Sequence, residues 1–294
     1  MKFNLSRLRL FFRIIMPIDN LISKIVYKLK LSPKNNRKNS IREKFHLRPN
    51  KIHVAGDTEV IRLGFYSHNI MRNLELLKLK KVSREFQSPI LDIGCGNGLF
   101  ASLFLNHVDV GLDLDHRNIE LAKKYDIYDE IRSADCTKNI PYSENFFNTI
   151  FSNSVVEHIP DIDGLVKNCS KVLNSNGKLY FTTYSDKFTD CLTQNLGKRV
   201  SRQYNKSLTH VSLLSPSEWE KIFYRHKLKI DRIEYYLSCE ALLEMRFYSS
   251  NIFHLIEILF GNFFWLIYRS RLAETVRNSL NLDSGIGMMI VAEK

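Results

Sequence analysis

The sequence predicts an α/β fold built on a mostly parallel sheet. Three observations predict it. From about residue 85 onward, short apolar runs alternate with helix-patterned stretches; a glycine turn (Gly94, Gly96, Gly98) directly follows the first run; and polar residues gather where successive runs end. The first run, at 90–93, enters the glycine turn, and Leu99, Leu103 and Phe104 set a helical pattern beyond it. Backbone N–H groups at such a turn can approach a ligand closely. Leu99 stands where a nicotinamide-binding fingerprint needs its third glycine, and no Gly-Lys-Ser/Thr follows, so neither that motif nor a Walker loop is present.

The remaining strands follow in order. Residues 108–115 (VDVGLDLD) form a second buried run whose Asp113 lies 21 residues after Asp92 and could accept hydrogen bonds from a ribose diol; Asp115, just beyond, reads as a helix N-cap. A third run, 130–136, ends at Asp135 and Cys136. A fourth, 145–154, ends at Asn153 and Ser154. A helix at 165–173 and a turn at 174–177 lead into a fifth at 178–183. A sixth, about 228–237, and a seventh, 285–293, close the series, with a long insertion between them.

Composition narrows the class. The chain has 294 residues, 44% hydrophobic and 25% charged, which excludes wholesale disorder and allows a large core. Five cysteines, scattered and never spaced as C-x-x-C, predict neither a disulfide framework nor a zinc site, and suggest a reducing compartment. There are 43 Lys and Arg against 31 Asp and Glu; 13 and two of these fall in residues 1–50, so the remainder carries 30 against 29. A near-neutral body offers no track for nucleic acid, whereas a basic arm suits a local anchor.

Residues 1–40 read as a basic amphipathic arm and linker, 41–85 as cap or lid helices, and 86–294 as the main domain with a helical insertion at about 238–284. In the arm, Ile18, Leu21, Ile22, Ile25, Val26 and Leu29 share one helical face, and Leu5, Leu8, Phe12 and Ile15 repeat the pattern before Pro17. Arg7, Arg9 and Arg13 break any run apolar enough for a signal peptide or a membrane span. Within the insertion, 252–269 is rich in aromatic and aliphatic residues, with His254, Glu257, Gly261 and Tyr268 on a narrow polar stripe. Both 1–30 and 252–269 fit contact with an anionic membrane surface; the alternatives are packing on the domain or an organellar presequence for the arm, and packing over a substrate pocket or in a dimer interface for the insertion.

The motifs LDIGCGNG, VGLDLD, ADCTKNIPYSENFFNTIFSNSVVEHIPD and KVLNSNGKLYFTT, spread over roughly 85–240, resemble those of class I S-adenosylmethionine-dependent methyltransferases. The resemblance implies a seven-stranded Rossmann-like sheet, six strands parallel and the last antiparallel, with helices on both faces. It also implies S-adenosylmethionine as cofactor. Carried over residue by residue, it puts Gly94 and Gly96 against the cofactor's amino-acid portion and Asp92 near its ammonium. Asp113 would lie on the ribose, Leu114 against adenine, Asp135 on the adenine amine with the Cys136 N–H beside the ring, and Asn153 near the methionine end.

Two histidines are candidate bases for the acceptor; each also reads as a structural histidine, and a proximity mechanism that uses no base competes with both. His158, in VVEHIP, resembles the E-H-x-P-D ending of ubiquinone-pathway O-methyltransferases, some of which bind a metal through E-x-x-E-H; Ser154 replaces the first acid here, so no metal is expected. Glu157 reads as a helix cap or a solvent-facing acid. His210 precedes a helix entered through Ser215-Pro216. Tyr66 and His68 suggest a lid by position alone. The reading is a methyltransferase, O-directed, acting on a small-molecule or lipid-like acceptor (a lipid-linked sugar, a lipid head group or an isoprenoid quinone). Its expected place is the cytoplasm, peripherally on the membrane's cytoplasmic face. A soluble acceptor, with the apolar segments used for oligomerisation, and a non-enzymatic scaffold are the competing readings. Nucleic acid is disfavoured, and the oligomeric state is open.

Overall fold

The structure, a computed structural model, describes residues 52–55 and 57–294. The arm of residues 1–40 lies outside the described residues. In chain order the chain forms β1 (Ile52–Ala55), β2 (Thr58–Ile61), α1 (Tyr66–Val82), β3 (Ile90–Ile93), β4 (Val108–Asp113), α2 (His116–Ala122) and β5 (Tyr128–Ser133). Next come β6 (Phe147–Asn153), α3 (Ile162–Val172), β7 (Leu173–Tyr184), α4 (Lys187–Leu196), α5 (Lys198–Leu208) and α6 (Pro216–Arg225). The last elements are β8 (Lys229–Tyr236), α7 (Cys239–Tyr248), α8 (Asn251–Leu280) and β9 (Gly287–Glu293). They group into two compact units: the described parts of 1–74 with 189–204 and 237–280, and 75–188 with 205–236 and 281–294.

The second unit holds a seven-stranded sheet in the order β5-β4-β3-β6-β7-β9-β8. The pairs β3–β4, β4–β5, β3–β6 and β6–β7 are parallel, and β9 runs antiparallel to both neighbours, as expected. The order reverses at β3, the position at which open sheets of this kind bind ligands outside the carboxyl ends of their strands. Strand β3 is buried throughout because both its faces are covered, which is why it reads as an unbroken apolar run around Asp92. Helix α3 starts at Asp161, whose carboxylate accepts the Gly164 N–H, and buries Leu165, Val166, Cys169 and Val172. Helix α6 begins with a capping box between Ser215 and Glu218 and lays Trp219 and Phe223 against Phe181, at 6.0 and 6.3 Å between ring centroids.

Two local expectations are corrected. Only residues 99–107 separate the glycine turn from β4, room for one 3₁₀ turn at Ala101–Leu103 in place of the expected helix. The turn expected at 174–177 is absorbed into β7: Asn176 takes the left-handed conformation (φ 69°), and the β6–β7 register shifts between Phe147 and Thr149.

In the first unit, the β1–β2 hairpin and the start of α1 are joined by Asn73, which accepts from the Ile61 N–H at 2.6 Å and donates to the Ile61 carbonyl at 2.8 Å. Tyr66 is buried here as a core residue of this unit, its hydroxyl donating to Glu244 at 2.9 Å. Helix α8 breaks at Phe260, and its two halves meet at 116°. Among the described residues no single helix is long and apolar enough to cross a membrane; this bent pair meets the length and composition only together. Of the expected polar stripe, Glu257 turns inward: it is buried, accepts the Tyr66 N–H at 2.8 Å, and burial pushes its carboxyl up to about 8.

The cysteine reading is also corrected. Cys191 of α4 and Cys239 of α7 form a disulfide across 48 residues, a spacing with no sequence signature, while Cys95, Cys136 and Cys169 are buried free thiols. Closing a loop of this length restricts the unfolded chain, so reduction, or Cys239→Ala, should lower stability by about 2–4 kcal/mol. Thermal unfolding with and without reductant measures this, and the Cys239→Ala protein should show no further response to reductant.

Candidate functional site

The three glycines at the end of β3 are needed for different reasons. All take positive φ (73°, 56° and 77°), which disfavours a side chain on backbone grounds alone. At Gly94 a Cβ would also sit 2.4 Å from Val155, and at Gly98 3.1 Å from the backbone of Ala122. At Gly96 it would meet nothing within 4 Å, so this is where the turn faces open space. The turn is tied to β4 by the Gly94 and Cys95 N–H groups, both donating to the Leu112 carbonyl at 2.7 and 3.0 Å.

Asp113, at the tip of β4, closes that tie. Its Oδ2 accepts the Gly96 N–H at 2.8 Å, and its Oδ1 accepts the Asp115 N–H at 2.8 Å and the Asn118 amide at 3.2 Å. Those contacts fix the carboxylate beside the open side of the glycine turn and leave part of its acceptor capacity for a ligand. Leu114, next along, is 70% exposed. Asp115 caps α2, accepting the Arg117 N–H, as expected.

Asp92 lies one strand over and is buried. Its Oδ2 accepts the Tyr128 hydroxyl at 2.7 Å, and burial, reinforced by the Asp113 charge, pushes its carboxyl up to about 7. Asp135, just past β5, accepts both the N–H and the hydroxyl of Thr137 (3.1 and 2.7 Å) and pairs with Lys138 at 3.3 Å. The Thr137 hydrogen bond leads in holding its carboxyl below the usual range. Cys136 is buried behind it, and desolvation pushes its thiol up to about 12, with the charges of Asp135 and Asp113 adding to the effect. The structure therefore gathers Asp92, Gly94, Gly96, Asp113, Leu114, Asp135 and Cys136 at three adjacent strand ends.

Asn153, at the tip of β6, faces a partner that the sequence reading missed. Its Oδ1 accepts the Thr182 hydroxyl at 2.7 Å, and its amide donates to Glu75 at 3.2 Å. Glu75, fully buried on α1, also accepts the Ser154 hydroxyl, and Ser154 adopts a left-handed φ of 51°. A clue was present in the sequence: Glu75 lies on the Met71–Leu79 face, where an acid is out of place unless something binds it. Tyr128 left no such clue, since only the β4–β5 register carries it to Asp92.

The histidines come together from separate loops, with ring centroids 5.5 Å apart. His158 Nδ1 lies 3.2 Å from the Thr209 carbonyl, which can only accept, so Nδ1 carries the proton and Nε2 is the basic nitrogen. Thr209 holds that carbonyl in place from a left-handed φ of 58°, a costly conformation for a β-branched residue. His210 packs against Tyr184 and Phe188 at 4.9 and 4.8 Å, and its Nδ1 lies 3.3 Å from Asn205 Oδ1. Burial, with the neighbouring His158, lowers its pKa to about 4, so His210 is neutral at physiological pH. Glu157 neither caps a helix nor meets solvent: it is buried, its Oε2 accepts the Thr183 hydroxyl at 3.3 Å, and its backbone carbonyl accepts the Val211 and Ser212 N–H groups. Glu157, His158 and His210 place one ligand atom each within 4.8 Å of one another, a carboxylate and two imidazoles of the kind that can hold a transition metal.

Comparisons with known proteins bear on the family. A family described as a methyltransferase domain matches residues 59–232. The ubiquinone biosynthesis O-methyltransferase of Pelagibacter ubique is 27% identical over 184 residues, 59% of this chain and 74% of that protein. Its counterpart from Coxiella burnetii is 26% identical over 136 residues, and the mitochondrial one of Bos taurus 24% over 178; the chain spans only 58% and 46% of their lengths. Among solved structures, a SAM-dependent methyltransferase from Thermotoga maritima aligns with TM-score 0.50 at 13% identity, covering 76% of this chain and 91% of that one. A methyltransferase of Galdieria sulphuraria named for sarcosine and dimethylglycine aligns with the same score at 14% identity, covering 76% and 84%. The chain belongs to the methyltransferase-domain family and is a class I S-adenosylmethionine-dependent methyltransferase.

Proposed function

We propose that this enzyme methylates a hydroxyl oxygen on an amphipathic, lipid-like acceptor, with the ring hydroxyl of an isoprenoid quinone precursor as the first candidate. The observation that carries the proposal is the basic Nε2 of His158, fixed in its tautomer by the Thr209 carbonyl. The relatives named for O-methylation in ubiquinone biosynthesis support the choice of atom and acceptor.

S-adenosylmethionine supplies an electrophilic methyl on a sulfonium, and the protein's part is alignment, exclusion of water and removal of one proton. The residues present fit that cofactor: Gly96 faces open space, Asp113 offers a fixed carboxylate beside it, and Leu114 provides an exposed apolar surface for a flat ring. Asp135 and the Cys136 N–H take the adenine side. Asp92 and Asn153 take the amino-acid side, with Glu75 holding the Asn153 amide. His158 Nε2 accepts the hydroxyl proton as the acceptor oxygen attacks. Neutral His210, packed among Tyr184 and Phe188, keeps that proton route dry. We read the Glu157, His158 and His210 cluster as this base and its supports, with no metal needed.

Asp113→Ala should weaken S-adenosylmethionine binding by about 1.5–3 kcal/mol, roughly 10- to 150-fold in Kd. Calorimetry showing an unchanged Kd would refute the assignment.

Asp92 is held protonated up to about pH 7 in the free enzyme, and a cationic ligand favours its ionised form. Binding should therefore release a proton below that pH and tighten as pH rises through about 7. Repeating the titration in buffers of different ionisation enthalpy measures the proton, and Asp92→Asn should flatten the pH dependence.

His158→Ala should lower kcat by about 10²–10⁴ while leaving cofactor affinity intact. Assay with S-adenosylmethionine and a catechol bearing a short isoprenoid tail tests the chemistry, and a tail-free catechol turned over equally well would favour a soluble acceptor. Activity should survive dialysis against EDTA; loss restored by a divalent metal would make His158 a ligand and not the base.

A further inference from the structure

We infer that the outward face of α8 is a docking surface for an anionic lipid bilayer. Leu259, Phe260, Phe263, Leu266 and Ile267 are each 55–64% exposed and fall within nine residues of the helix break. On the opposite side Phe264 and Trp265 are buried, and Tyr268 stacks on Phe264 with ring centroids 4.2 Å apart. The helix is thus anchored inward by aromatics and presents a second apolar face outward. An apolar cluster of this size on a helix otherwise fixed in place marks an interaction site.

Charge selects the occupant. Between Leu259 and Ala273 the charged residues are Arg269 and Arg271, with no acid. Arg271 is neutralised by Glu244, whose carboxylate accepts its Nε and Nη2 at 2.6 and 3.1 Å. Arg62 borders the same stretch, its guanidinium donating to Asn262 at 3.4 Å. Arg62 and Arg269 therefore border the apolar face with positive charge, and the exposed acid next along α8 is Glu274, past this stretch. A second copy docked symmetrically would set these charges against each other, and the chain's own residues 1–50 carry 13 Lys and Arg against two acids, so they too would meet like charge. Anionic head groups complement this charge, and the leaflet beneath accepts the five side chains. Strand β1, which follows the basic segment in the chain, borders α8, with His53 Nε2 3.3 Å from Ser270 Oγ. The inference does not depend on which acceptor is methylated.

The test is flotation of the full-length protein with vesicles of phosphatidylcholine, with and without phosphatidylglycerol. The wild type should float with the anionic vesicles, and high salt should release it. Phe263→Asp and Leu266→Asp lie on exposed positions and should each weaken partitioning by roughly tenfold or more, while S-adenosylmethionine binding and circular dichroism stay unchanged. The inference is overturned if the wild type does not float, if it binds neutral vesicles equally well, or if the variants float like the wild type. A wild-type dimer that the variants convert to monomer, without flotation, would assign the face to a second copy and overturn it as well.

Discussion

The candidate site depends on one hydrogen bond, from the Gly96 N–H to the carboxylate of Asp113. It joins the tip of β4 to the turn that leaves β3, and so fixes the one open position in the turn relative to the one acid that borders it. Both partners are constrained beforehand. Gly96 takes a left-handed φ of 56°, and Asp113 is braced by the Asp115 N–H and the Asn118 amide. A ligand arriving here therefore meets acceptor atoms already aimed, and little ordering remains to oppose binding.

Around that bond the protein accepts the cost of burying acids and uses it. Asp92 is buried against Tyr128 and near Asp113, an arrangement that favours the neutral acid until a cation arrives. Glu75, also buried, accepts from Asn153 and Ser154 and so fixes the tip of β6.

The proton-handling side is built from loops, as expected where geometry must be set independently of the sheet. Thr209 gives up a favourable backbone conformation to point its carbonyl at His158, and backbone bonds from Val211 and Ser212 to the Glu157 carbonyl hold the two loops in register. Burial and the neighbouring His158 keep His210 neutral at physiological pH.

Much of this was legible in the sequence because it is local. Strand β3, its glycine turn and the acids at the ends of β4 and β5 are each specified within a few residues by apolar runs, glycine's backbone freedom and the side-chain chemistry of strand ends. Asp115 as the α2 cap followed from the same reasoning, whereas the antiparallel β9 was implied by the family resemblance. Whatever required partners distant in sequence was not legible. The pairing of Cys191 with Cys239, the burial of Glu157, and the turning of Glu257 and Tyr66 into a core were decided by packing. So were the meetings of Glu75 with Asn153 and of Tyr128 with Asp92. The sequence alone determined which groups stand at the strand tips, since strand period and turn chemistry are short-range. Only the tertiary structure decided which of those groups are desolvated, because a carboxylate's environment is set by neighbours the chain brings from dozens of residues away.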